Sequence, residues 1–104
     1  MNTGIIARNA LARLEQAMSY ILENLKEAPL PIRKVVKALE KEFKVGITIY
    51  KPVSFEPTKW MLEPRKTIKK PEADAFIAKV KDAKIETVTF SSSVIGNQFV
   101  VKLK

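Results

Sequence analysis

Four prolines, Pro52, Pro57, Pro64 and Pro71, cut a twenty-residue stretch in the middle of this chain into pieces of four to six residues. Proline withholds a backbone donor and pushes the residue before it towards extended geometry. The expectation is that neither a long helix nor a central strand fits here, leaving an irregular arm over 51–71. The arm is basic and holds Trp60, the one tryptophan of the chain. A long irregular segment inside a small domain usually serves function. The chain has 104 residues, so 1–104 is expected to be one domain with a single core.

The segments around the arm carry clearer periodicities. Leu11, Leu14, Met18, Ile21 and Leu25 recur at alternating spacings of three and four, widened by Ala17 and Leu22, which predicts an amphipathic helix over 5–27. Thr3 suits its N-cap. Pro29 and Pro31 break the pattern, and Pro31 fits the first turn of a second helix. That helix runs to about Lys44, gathers Ile32, Val35, Val36, Leu39 and Phe43 on one face, and ends at Gly46 as a C′ residue. Gly46–Tyr50 alternates and is β-branched, as a short strand does. After the arm, Pro71 opens a third helix that buries Phe76, Ile77 and Val80 and ends near Ala83, with Glu72 and Asp74 favourably placed against its N-terminal dipole.

At the C-terminus, Gly96-Asn97 reads as a two-residue hairpin turn. The pairing that follows sets Ile95 opposite Gln98, Val94 opposite Phe99, Ser92 opposite Val101 and Phe90 opposite Leu103. Val88, Phe90, Val94, Phe99, Val101 and Leu103 then share an apolar face. Ile95 and Val100 stand out as apolar residues on the polar face. The expected fold class is α+β: an N-terminal αα-hairpin plus a third helix packed on a small antiparallel sheet that ends in a C-terminal β-hairpin. A winged-helix arrangement is the second choice, weakened by the distance between the second and third helices.

Charge gives the functional direction. The net charge is +8, and residues 32–70 supply +7 of it. Such a concentration favours polyanions or acidic protein surfaces. On the second helix Lys34, Lys37, Lys41 and Lys44 gather opposite the apolar face, with Arg33 at its flank. On the arm Lys59, Arg65, Lys66, Lys69 and Lys70 surround Trp60. Ammonium and guanidinium groups in this density neutralise phosphates and release counterions. Trp60 has two readings, a stacking platform for bases or an anchor pinning the arm to the core; the flanking Met61 and Leu62 favour the anchor.

The chain has no histidine and no cysteine, which removes the usual general base, the thiol nucleophile and the common zinc ligands. Asp74, Asp82, Glu72 and Glu86 do not converge as a magnesium site needs. Tyr50 lacks partners that would activate it, Ser91–Ser93 lack a base, and Gly4, Gly46 and Gly96 are too scattered for a phosphate loop. No cofactor, metal or catalytic residue is expected, and the chain is not expected to be an enzyme. There is no apolar run long enough to span a bilayer and no charged-then-apolar leader pattern at the start, so a cytoplasmic protein without membrane contact is expected. The expected function is non-enzymatic nucleic-acid binding, to DNA or RNA, through Arg33, Lys34, Lys37, Lys41, Lys44, Lys59, Arg65, Lys66, Lys69 and Lys70. The alternative is a protein-interaction module, an inhibitor or assembly factor that docks on an acidic partner. The apolar seam of the first helix would also suit a homodimer.

Overall fold

The computed structural model describes residues 21–93 and 96–104. The elements run β1 (Ile21–Leu22), a 3-10 turn (Leu25–Glu27), α1 (Leu30–Phe43), β2 (Ile47–Tyr50), β3 (Lys59–Pro64), α2 (Lys70–Lys79), β4 (Ile85–Ser93) and β5 (Gly96–Leu103). The strands form one antiparallel sheet in the order β1-β2-β3-β5-β4. This is an α+β domain with two helices among the described residues.

The helix expected over 5–27 is overturned at its C-terminal end and otherwise lies outside the described residues. Ile21 and Leu22 pair with Tyr50 and Ile49, and Asn24 caps a single 3-10 turn by accepting the Lys26 backbone N–H at 3.0 Å. Ile21 and Leu25, expected in a dimer seam, thus belong to strand and turn. An αα-hairpin is not formed by the described residues.

The arm contains a strand, and a central one. Lys59–Pro64 is the middle of the five strands, paired with β2 and β5. The prolines bound this strand instead of chopping it. Pro57 stands two residues before it, and Pro64 closes it opposite Ile47. The five residues from Lys59 to Glu63 all keep their N–H groups, so no pairing donor is missing within the run. Trp60, Leu62 and Pro64 are buried while Lys59, Met61 and Glu63 are half-buried, the alternation of a strand covered on one face. Trp60, 8% exposed, is an anchor in the core and offers no ring for stacking. What remains irregular is 51–58, folded into turns (Glu56 N–H to Val53 carbonyl, 3.0 Å), and 65–69.

The hairpin has the expected faces and a different register. Ser93 pairs with Gly96, Ser92 with Asn97, Phe90 with Phe99, and Val88 with Val101. Gln98 therefore lies opposite Ser91, four residues from the expected partner Ile95. An even slip returns every side chain to the same side of the sheet, so face composition excludes only odd slips. Gly96 and Asn97 belong to β5, not to a turn. Gly96 has a φ of 155°, which side chains rarely adopt. Val94 and Ile95 lie outside the described residues. Glu86 is a bulge between Ile85 and Thr87.

Both helices cover one face. Ile49, Leu62 and Phe99 follow one another across the strands, as do Trp60 and Val101, and all five are buried with Ile32, Val35, Val36, Leu39 and Phe43 of α1 and Ala73 and Phe76 of α2. Phe43, Phe76, Phe99 and Phe90 form a chain of ring contacts with centroids 5.9, 5.7 and 4.9 Å apart. The opposite face shows Thr48, Tyr50, Met61, Val100 and Thr89, and neither α1 nor α2 packs there. Among the described residues no helix is long and apolar enough to cross a membrane.

Candidate nucleic-acid interface

α1 presents its lysines because its sequence separates charge from hydrocarbon. Ile32, Val35, Val36, Leu39 and Phe43 are buried, and Lys34, Lys37, Lys41 and Lys44 are exposed on the other side. Arg33 is a departure from that face: it is half-buried, with its Nε shielded and without a hydrogen-bond partner among the described residues.

Helix α1 ends in an unexpected way. Lys44, not Gly46, takes the left-handed conformation that terminates it, with φ 52° and ψ 51°. Left-handed backbone costs a side-chain-bearing residue about 1–2 kcal/mol, and glycine is the usual occupant. Gly46 serves a different purpose. A Cβ there would come within 3.3 Å of Arg65 Cδ, so glycine gives the Arg65 side chain room to lie over the strand start. The Arg65 N–H donates to the Gly46 carbonyl at 2.9 Å, and Arg65 Nε to Thr48 Oγ1 at 3.4 Å. Lys44 and Arg65, distant in sequence, are thereby brought to the same end of the sheet.

The β3–α2 loop continues this surface. Asn97, buried at 6% exposure, donates from Nδ2 to the Lys66 carbonyl at 3.0 Å and accepts from Ser92 Oγ at 3.3 Å. It ties the loop to the start of β5, and Ile68 plugs the loop into the core at 2% exposure. Arg65, Lys66 and Lys69 are left exposed around this fixed backbone. Lys69 is the N-cap of α2 and contributes no side-chain cap, so the first N–H groups of α2 add partial positive charge beside these cations.

Ion pairing divides the ten expected contact residues. Lys59 pairs with Glu56 at 3.5 Å and Lys70 with Asp74 at 3.0 Å. The other eight have no carboxylate within 4 Å among the described residues. Lys59 also lies at the wrong end. It begins β3, opposite Lys102, and five residues of strand separate it from Pro64 by about 17 Å. Lys41, Lys44, Arg65, Lys66 and Lys69 are the exposed, unpaired cations nearest the end of α1, the end of β3 and the start of α2.

Other chemistry-bearing residues are accounted for locally. The Tyr50 hydroxyl donates to Glu63 Oε2 at 2.8 Å. That bond to the carboxylate, aided by burial and by the carboxylate's charge, holds the phenol above its ordinary pKa. Asp82 accepts the Lys84 backbone N–H at 2.9 Å, and Asp74 holds Lys70. Asn97 escapes sequence reasoning because Gly96-Asn97 so closely matches turn chemistry; only the register shows it to be a buried tie.

No protein-family model matches the chain, and no curated protein or solved structure matches it either.

Proposed function

We propose that this domain binds nucleic acid by its phosphates, without catalysis, through the end of the sheet where α1 finishes and α2 begins. The observation that carries the reading is the set of unpaired cations there. Lys41, Lys44, Arg65, Lys66 and Lys69 face no carboxylate within 4 Å among the described residues, whereas Lys59, Lys70, Lys79 and Lys102 each take one. Lys41 in the last turn also offsets the C-terminal dipole of α1, an effect of about 0.3–1 kcal/mol. That explanation does not extend to Arg65, Lys66 or Lys69. A lysine kept in left-handed backbone at Lys44 supports the same reading, since strain of this kind clusters at functional positions. Lys34 and Lys37 extend the contact along α1. Lys59, paired and remote, and Arg33, half-buried, are left out of it.

The test is binding of labelled single- and double-stranded DNA and RNA across a salt series. Affinity should fall with a log–log slope of about −0.9 for each duplex phosphate neutralised. Absence of binding to all four at low salt sinks the reading. A second reading, docking on a protein partner, is favoured by the half-buried row of Ile21, Tyr50, Met61 and Val100 across the face that neither helix covers. Weak salt dependence together with loss of partner on Met61→Glu would favour it.

A further inference from the structure

A second feature stands apart from the basic end. α1 and α2 do not close fully over each other, and between them runs a cleft of about 480 Å³. The gap has a local cause. Ala38 is too small to fill it from α1, and α2 is weakly amphipathic, burying only Ala73 and Phe76. The floor is hydrocarbon: Val35, Ala38, Phe76, Val80 and Ile85. The rim is cationic, with Lys34 and Lys41 from α1, Lys79 ending α2, and Lys81 just beyond it.

The two carboxylates at the rim are already engaged. Glu42 is held by Lys79 at 2.6 Å, and Asp82 caps the following turn through the Lys84 N–H. Lys34, Lys41 and Lys81 have no carboxylate within 4 Å among the described residues. An apolar trough of this size, within the roughly 300–1,000 Å³ of small-molecule sites, with an excess of cations over carboxylates at its mouth, is complementary to an anionic amphiphile.

We propose that the cleft binds a single-chain fatty carboxylate, its hydrocarbon along Val35, Phe76 and Val80 and its head group among Lys34, Lys41 and Lys81. A carboxylate head group carries a single charge, which lysine point charges suffice to hold without an arginine fork, and dodecyl phosphate tests the alternative head group. The cleft shares Lys34 and Lys41 with the nucleic-acid reading but is otherwise a separate site. Its apolar floor is useless to a phosphate backbone, and Arg65, Lys66 and Lys69 take no part in it.

The experiment is calorimetric titration of the full chain with laurate below its micelle concentration, beside dodecanol, dodecyl phosphate and an acidic amphipathic peptide. One laurate per chain should bind saturably, with dodecanol weaker by about tenfold or more for want of the charge-assisted contact. Ala38→Trp, a substitution at an exposed position, should fill the trough and weaken laurate by at least about tenfold. Should that variant fail to fold, Lys34→Glu/Lys41→Glu, which leaves the floor intact, should produce a comparable loss. No saturation, unchanged affinity in these variants, dodecanol binding as tightly as laurate, dodecyl phosphate binding more tightly, or response to the peptide alone would each overturn the proposal. Ala38→Trp retains every cation and should leave oligonucleotide affinity unchanged. Arg65→Glu/Lys66→Glu/Lys69→Glu should lose oligonucleotide and keep laurate, so the two proposals fail separately.

Discussion

The two ends of β3 carry the same kinds of side chain and differ in how the cations beside the strand are partnered. At the Lys59 end the two cations on the paired strands meet acids: Lys59 meets Glu56, and its cross-strand neighbour Lys102 meets Glu86 at 3.8 Å. At the Pro64 end Arg65, Lys66 and Lys69 meet none among the described residues. Exposed pairs such as those at the first end are worth little in stability, about 0–1 kcal/mol, but they cancel the local field. A net charge of +8 therefore says less about a partner than the places where charge is left uncancelled.

The largest effect that would sharpen this contrast concerns the structural end. Trp60→Ala, beside Lys59, should cost about 3–5 kcal/mol by removing a buried indole from the central strand. Chemical denaturation reads this directly, and a loss below about 1 kcal/mol would mean that the ring does not anchor the arm. Next comes the contrast itself. Arg65→Glu/Lys66→Glu/Lys69→Glu should weaken oligonucleotide binding by at least about 100-fold and flatten the salt slope by about 0.9 for each phosphate no longer neutralised. Lys59→Glu/Lys102→Glu, at the paired end, should do neither; equal losses from the two sets would erase the distinction between the ends.

How the unpaired end is held gives the third prediction. Asn97→Ala leaves the Lys66 carbonyl without its donor and should cost about 1–3 kcal/mol, with increased hydrogen exchange confined to 65–69. Lys44→Gly should gain about 1 kcal/mol by relieving left-handed strain while lowering oligonucleotide affinity. A gain in both properties would show that the lysine has no functional reason to be there. The smallest effect is at Tyr50. With its folded-state pKa raised, the phenol's contribution is fully present below about pH 10 and is lost as pH rises through the higher folded value. Tyr50→Phe should remove that alkaline loss of stability and cost about 0.5–1.5 kcal/mol at neutral pH, as thermal melts across pH would show.

Much of this molecule is legible where a single periodicity governs a segment. α1 is readable because Ile32, Val35, Val36, Leu39 and Phe43 repeat with the helical period and its lysines fill the complement. β2 and the faces of the last hairpin follow for the same reason. α2 is located instead by Pro71 and its N-terminal acids. It ends at Lys79, not near Ala83, and of its expected stripe only Phe76 is buried, Ile77 and Val80 staying half-buried. The signals fail where a residue type has two structural uses. Pro57 and Pro64 look like breakers, yet proline at a strand's boundary leaves the ladder inside untouched. Gly96-Asn97 imitates a hairpin turn, while its asparagine is a buried tie and the true register differs by an even step that no face pattern detects. Ile21 and Leu25 match a helical stripe continued from upstream, but pairing with β2 and an Asn24 cap take precedence. For the site, which lysines are exposed is visible in the helical period. Which have carboxylates beside them is not, because Lys79 finds Glu42 across 37 residues and Arg65 reaches the end of α1 only through the β2–β3 pairing.

The bulge at Glu86 also bears on self-association. Among the described residues β4 is an outer strand, and it is nine residues long. A long sheet edge invites a strand from another molecule. Here the extra residue interrupts the regular spacing near the start of the strand and increases its local twist. It also sets a charged Glu86 there, with exposed Thr87, Thr89 and Ser91 following. A second sheet approaching this border would meet a ladder out of step and little hydrocarbon to cover. At its β4 border, the sheet resists growing into a filament by the shape of its backbone.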